Sequence, residues 1–166
     1  MPASRPHTLV ELFREAMAML PAGVCVVTAR DAAGSPRGLL ATSVSSYSAS
    51  PPSLLLSVAR SARSHSAITE GRRFGVHLLR AERGLAIAER FAAKAEDKFA
   101  GLAWRWDEGV PCLEDVIWYL RCRRSATFGH HDHTIVVGDV EVGEVHPGEP
   151  LLYARRRMDW LLRPGE

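Results

Sequence analysis

A Pro-Pro pair, Pro51-Pro52, divides the most constraining stretch of this chain, residues 37–68, into two apolar, β-like runs. Proline cannot donate to a strand ladder, so it stands at strand starts and edges. The first run ends at Ala41 in a serine-rich loop, Thr42-Ser43-Val44-Ser45-Ser46. The second, Leu54–Val58, runs into Arg60, Ser61, Arg63 and Ser64. Hydroxyls, backbone amides and guanidiniums therefore recur at the ends of two strands. A phosphate-bearing, hydrogen-bond-rich ligand needs such groups, and a core does not.

The rest of the chain also reads as mainly β. Thr8-Leu9-Val10-Glu11 has the form of a capping box, and Leu9, Leu12, Phe13, Ala16, Met17 and Leu20 follow at helical spacing until Pro21 and Gly23. Val24–Ala29 reads as a buried strand, joined through the turn Asp31–Gly34 to its hairpin partner. Ser64–Glu70 is expected to be a short helix, and Phe74, Val76 and Leu78 alternate as a strand. Arg83–Ala93 reads as a helix with Leu85, Ala88 and Phe91 or Ala92 on one side. The segment Lys94–Pro111, with Trp104 and Trp106, reads as irregular, and Ile117–Arg123 and Thr134–Val142 as long strands. Two-residue periodicity excludes a helix bundle, and hairpin-like links argue against a doubly wound parallel sheet. An antiparallel barrel with peripheral helices fits best.

At 166 residues the chain suits one domain, 1–166, with a full core. A net charge of +2 argues for neither nucleic acid nor a membrane surface as partner. No stretch approaches the ~18 apolar residues of a membrane span, and the N-terminus lacks the pattern of a secretory signal. The three cysteines, Cys25, Cys112 and Cys122, read as buried reduced thiols of a cytoplasmic protein.

Three polar clusters have a functional and a bland reading. Residues 42–46 are either a simple turn or an extended edge whose amides meet a planar heterocycle. Ser57-Val58-Ala59-Arg60-Ser61-Ala62-Arg63-Ser64-His65 is either an anion site at a helix start, with Lys98 as a third cation, or an N-cap at Ser64 among solvated arginines. In His130-His131-Asp132-His133, strand alternation would let His131 and His133 converge while Asp132 points away. With no second ligand pair at zinc-like spacing, a His and Asp flanking a cofactor pocket fits better than a metal. GxGxxG, GxxxxGK[ST] and GxSxG are all absent, which leaves Rossmann, P-loop and hydrolase readings without their residues.

The order of these pieces resembles the flavin reductase family across about residues 13–153. The matching segments are Phe13-Arg14-Glu15-Ala16, Pro21–Val24, Val26-Val27-Thr28, Gly38, Thr42–Ser48, Pro51-Pro52, Arg60–His65, Phe74-Gly75-Val76 and Phe91. They continue through Asp97–Gly101, Asp132-His133-Thr134, Gly138-Asp139-Val140 and Pro150–Tyr153. The resemblance implies an antiparallel, Greek-key, FMN-binding split β-barrel. Such proteins are NAD(P)H-dependent homodimers that supply reduced flavin to a partner monooxygenase. It implies that Ala41, Thr42, Ser43, Val44 and Ser45 line the flavin ring of FMN or FAD. Ser57, Val58, Ser61, Arg63 and Ser64 would hold the ribityl chain and phosphate, with Lys98 assisting. Asp132 and His133 would match the Gly-Asp-His signature near the nicotinamide of NADH or NADPH and act in catalysis.

This chain departs from the family's pattern at four positions. The family often has Asn at the positions of Thr42 and Ala59, a hydroxyl at Ala62 and Gly at His131. Loss of polar groups at Ala59 and Ala62 is expected to weaken flavin contacts by ~1 kcal/mol each. His131 would add bulk where nicotinamide enters. These departures suit a reductase that treats flavin as a diffusible substrate. They equally suit a non-catalytic flavin-binding redox sensor. An FMN-dependent oxidoreductase acting directly on an organic substrate, with Trp104, Trp106 and Trp118 shaping its pocket, is the third alternative.

Overall fold

The computed structural model describes residues 8–162; the start of the chain, where the secretory-signal reading falls, lies outside them. In chain order the elements begin with α1 (Leu9–Met19), β1 (Ala22–Gly23), β2 (Cys25–Arg30), β3 (Pro36–Ala41), β4 (Ser45–Ala49) and β5 (Pro52–Ala59). There follow α2 (His65–Thr69), β6 (Arg73–Leu79), α3 (Gly84–Ala92), β7 (Trp104–Asp107) and β8 (Val110–Leu113). Last come β9 (Val116–His130), β10 (His133–Val145), β11 (Leu152–Ala154) and β12 (Arg157–Trp160).

Seven strands form one antiparallel sheet in the order β3-β2-β6-β9-β10-β5-β4. Within it β6, β9 and β10 are sequential neighbours, and β5, which precedes them, lies beside β10. That is a Greek key. The two edge strands, β3 and β4, are joined by Thr42-Ser43-Val44 alone. Laid flat at ~4.8 Å spacing, seven strands would put the edges ~29 Å apart. The link from Ala41 to Ser45 reaches at most ~15 Å. The sheet must therefore curl until its edges face each other across an unpaired seam, which makes it a split barrel.

The curl separates two cores. Cys25, Val27, Leu54, Leu56, Val58, Phe74, Val76 and Val136 fill the interior, with Ala67 and Ile68 of α2 packed against them. Val24, Val26, Leu79 and Tyr119 face outward and are covered by Ala88 and Phe91 of α3, Phe99, and Cys112 and Leu113 of β8. Alternate residues of β2 thus serve opposite cores, and burial on both faces explains its unbroken apolar run.

Most expected elements are present. The capping box forms: Glu11 N–H donates to the Thr8 hydroxyl at 3.2 Å, and Thr8 N–H to the Glu11 carboxylate at 2.8 Å. The β2–β3 hairpin, α2, β6 and α3 lie where the sequence places them, within a residue or two. Three expectations need correction. Lys94–Pro111 is not irregular throughout, because β7 and β8 pair around Glu108 and Gly109, both at positive φ (45° and 83°). Leu85 is exposed, and Gly84 takes the buried place on α3 with Ala88 and Phe91. The last two long strands extend to a hairpin arm whose tip is polar, so alternation could not mark their ends.

His77 ties β6 to both β2 and β8. It is fully buried and stacks on Tyr119 at 4.8 Å between ring centroids. Its Nδ1 lies 3.1 Å from the Val26 carbonyl, and Leu113 N–H donates to Nε2 at 3.1 Å. A carbonyl only accepts and an amide only donates, so the ring is the neutral Nδ1–H tautomer. Burial, above all, pushes its pKa down to about 4. The unfolded chain therefore binds a proton that the fold refuses as pH falls from about 6.5 towards 4. Stability is expected to drop by about 3 kcal/mol across that window and to be intact above it. Chemical denaturation at pH 7, 5.5 and 4.5 checks this. A His77→Gln variant should have a flatter profile, and a parallel profile would clear His77.

Candidate functional site

The seam opens into a groove because three chain segments emerge at one end of the barrel. His133 at the start of β10 pairs with Ala59 at the end of β5, and the β3–β4 link crosses beside them. One lobe, about 310 Å³, is lined by Leu39, Leu40, Ala41, Thr42, Ser43, Ser57, Val58, Ala59, Ala62 and His133. The adjoining lobe, about 570 Å³, shares Leu39, Leu40 and Ala62 and adds Ser61, Arg63, Ser64, Lys98 and residues 91–94. Most residues expected to touch a ligand are thus brought together. Val44 instead packs against the interior core, and Ser45 lies on edge strand β4 with its hydroxyl donating to the Ser46 carbonyl at 3.3 Å. Neither lines the groove.

The Ser43 hydroxyl accepts from Ser57 N–H and donates to the Ser57 carbonyl, each at 3.1 Å. It therefore pins the link to β5 across the seam, leaving the Ser57 hydroxyl with no protein partner among the described residues. Ser64 is similarly committed. It is buried, and its hydroxyl donates at 2.9 Å to the Gly38 carbonyl instead of capping α2 or facing the groove. Gly38 is where α2 and α3 meet β3: a Cβ there would lie 2.5 Å from the Phe91 ring.

Positive charge at this end comes from side chains, not from the five-residue α2. Lys98 Nζ donates to the Phe91 carbonyl at 2.7 Å. Burial first, and the nearby Arg63 charge second, hold the Lys98 pKa below its ordinary value. No carboxylate lines the larger lobe. Arg63, Lys94 and Lys98 thus line the lobe, while Glu96 stands with Arg63 and Lys98 around a smaller neighbouring pocket, and this excess of positive charge favours an anionic ligand.

The histidine cluster differs from its expected geometry. His130 and His133 are register partners, and His131-Asp132 form the two-residue turn between them. His131 has φ +49°, a region where Gly is easiest, and its ring lies against His130 at 3.8 Å. It does not line the groove. Asp132 points back, its Oδ1 2.9 Å from His133 Nδ1, and that hydrogen bond lowers the exposed carboxyl's pKa. The Asp132 carbonyl accepts Arg60 N–H at 2.8 Å, joining the turn to the end of β5. His133 is thereby oriented with Nε2 free and its ring on the groove wall.

Leu39, Leu40 and residues 91–94 are functional candidates that the sequence did not single out. Their signal was weak, since two leucines and the end of an apolar helix look like core. The tryptophans do not shape the groove: Trp104 packs edge-on against Phe99 and Trp106, and Trp118 packs against the interior core.

Comparison with known proteins gives consistent matches. The family model described as "Flavin reductase like domain" matches residues 17–162. A "Flavin reductase (NADPH)" from Lentzea aerocolonigenes is 40% identical over 156 residues, covering 90% of this chain and 89% of that protein. A structure of a Streptomyces globisporus C-1027 NADH:FAD oxidoreductase, in complex with NAD and FAD fragments, superposes with TM-score 0.83 at 32% identity, covering 97% of this chain and 95% of the other. The styrene monooxygenase flavin reductase of Pseudomonas putida S12 superposes with TM-score 0.78 at 31% identity, covering 87% and 94% respectively. Some relatives are longer: the chain spans 46% of a "Probable flavin reductase" from Rhizobium meliloti (strain 1021), to which it is 37% identical. A split barrel with its groove at the seam, matched over nearly its whole length, makes this chain a member of the flavin reductase family.

Proposed function

We propose that the chain is an NAD(P)H:flavin oxidoreductase that passes reduced FMN or FAD to a partner monooxygenase. The observation that carries this reading is the continuous groove joining the Thr42, Ser43, Ser57 and His133 lobe to the Arg63 and Lys98 lobe. A flat, uncharged ring with a polar chain ending in phosphate matches that sequence of environments. When bound, the flavin supplies the redox chemistry, taking two electrons and a proton from the nicotinamide as NAD(P)H becomes NAD(P)⁺.

The chain's own residues then bind, orient and exclude water. Arg63 and Lys98 would hold the phosphate, the free Ser57 hydroxyl would meet the ribityl chain, and Thr42 and Ser43 would line the ring edge. Asp132 accepts the Nδ1–H of His133, presenting Nε2 to the nicotinamide carboxamide. His131, turned away at the hairpin tip, leaves that approach open. Similarity to a styrene monooxygenase reductase supports a monooxygenase as the consumer of the product.

The reading includes a cytoplasmic homodimer. Three buried thiols support a reducing compartment, and no helix among the described residues is long and apolar enough to cross a membrane. α1 buries none of its residues, and Leu9, Leu12, Phe13, Met17 and Leu20 are exposed along it. A second copy would cover them.

Nicotinamide absorbance followed with NADH or NADPH, with and without FMN or FAD, tests the activity. Oxidation is expected only with both protein and flavin present. His133→Ala should lower kcat roughly 10–100-fold while the flavin dissociation constant stays within about twofold. The reverse pattern would remove His133 from its role. Ser64→Ala should cost about 1–2 kcal/mol of stability by orphaning the buried Gly38 carbonyl, and an unchanged Tm would show that contact idle. Light scattering should give twice the 18.3 kDa chain mass, and Phe13→Glu should shift it towards monomer. A wild-type monomer at all concentrations would overturn the dimer.

A further inference from the structure

His65 closes the polar segment 57–65 but lines neither lobe of the groove. Its half-buried ring turns instead to the start of β10, where Nε2 lies 2.9 Å from the Thr134 hydroxyl oxygen. The Thr69 hydroxyl spends its one proton on the His65 carbonyl at 2.9 Å, so towards Nδ1, 3.5 Å away, it can only accept. Nδ1 therefore carries a hydrogen, and in the neutral ring the Thr134 hydroxyl donates to Nε2. That hydroxyl has no other hydrogen-bond partner among the described residues.

The contact falls where β10 has least other support. The strand begins at His133, directly after the His131-Asp132 turn, and residues 130–133 are all exposed. Alternation turns His133 and Ile135 outward and Thr134 inward, and of these three only Thr134 is buried. It is the first side chain by which β10 is anchored. On β5 it pairs with Val58 of the interior core, but on β9 it pairs with Gly129, which offers no side chain. A Cβ at Gly129 would lie 2.6 Å from the Arg60 guanidinium, so an arginine already occupies that space. The fixed point is α2, which buries Ala67, Ile68 and Thr69 and follows directly on Ser64, bonded to the Gly38 carbonyl.

We infer that His65 is a positioning residue for the reaction: through the Thr134 hydroxyl it holds the first turn of β10, and with it the ring of His133, against the groove wall. The inference rests on the proposed reductase reading and on the role given there to His133. Asp132 sets the rotation of the His133 ring from one side. His65 sets the position of the backbone that carries it, from the other face of the strand. A group that meets a substrate must be held to within ~0.5 Å, and an exposed hairpin tip does not do this unaided.

The test is a double-mutant cycle on one hydrogen bond, with His65→Phe, Thr134→Val and the two combined. Thr134→Val keeps the shape of the side chain, so the cycle survives if His65→Phe folds poorly. Each single variant should lower kcat about tenfold while the flavin dissociation constant, read by fluorescence quenching, stays within about twofold. The double variant should lose no more than either single one, because both remove the same contact. His65→Gln, whose amide can reach Thr134 as Nε2 does, should recover kcat to within about threefold of wild type. The His133 ring resonance in NMR, identified by its loss in His133→Ala, should shift in both single variants and return in His65→Gln. Unchanged kcat in the single variants overturns the role even where Tm falls, since the contact would then be structural only. Multiplied losses in the double variant overturn it too, as does a lowered kcat with an unmoved His133 resonance. Wild-type protein that shows no flavin-dependent nicotinamide oxidation would instead overturn the underlying reductase reading, a result seen before any variant is made.

Discussion

The constraint on which the structure depends is a three-residue link between opposite edges of a seven-stranded sheet. Thr42-Ser43-Val44 is too short to cross a flat sheet, so the sheet curls until β3 and β4 face each other. Everything else follows from that closure. The interior becomes a packed core, the exterior needs its own cover, and the seam remains a line where backbone is not paired with backbone. A barrel closed by hydrogen bonds would have no such line. Here the unpaired edge is where ligand-facing groups are available, and the Ser43 hydroxyl, bonded to both N–H and C=O of Ser57, keeps the gap from widening.

Helices then fix the depth of the groove. Both α2 and α3 converge on Gly38, one through the Ser64 hydroxyl on its carbonyl and the other through the Phe91 ring against its Cα. Any side chain at Gly38 would push α3 outward and move the wall that carries Lys98, whose ammonium is held by the Phe91 carbonyl. His77 works at a similar junction on the outer face, where its two ring nitrogens satisfy groups from β2 and β8. Buried polar contacts of this kind specify how elements are placed, because no other arrangement pairs the same atoms.

Much of this was legible because local and global signals agree. The capping box at Thr8, the Asp31–Gly34 turn, the alternation of β6 and the Pro51-Pro52 strand start each follow from a residue's own chemistry. The illegible parts depend on partners distant in sequence. Ser64 reads as an N-cap or a phosphate ligand, and only the fold shows the Gly38 carbonyl, 26 residues away, accepting its hydrogen bond. The histidine cluster reads as a strand, but the ladder continues to His130 and leaves His131 in a left-handed turn that its residue type does not announce. The β7–β8 hairpin was hidden for a similar reason, since Glu108 adopts positive φ where Asn or Gly would have signalled the turn.

The fate of the serines bears on how the site holds its ligand. Ser43 and Ser64 spend their hydroxyls inside the protein, and Ala59 and Ala62, where the family often carries polar groups, line the groove without a donor. What remains for a phosphate-bearing ligand is mainly long-range attraction to Arg63 and the lysines, with short-range bonds from Ser57 and the backbone. Attraction of that kind speeds encounter and weakens with ionic strength, while fixed hydrogen bonds are what slow departure. On the proposed reading, such a groove would capture an anionic flavin quickly and release it, as suits a reductase whose product is consumed on another protein.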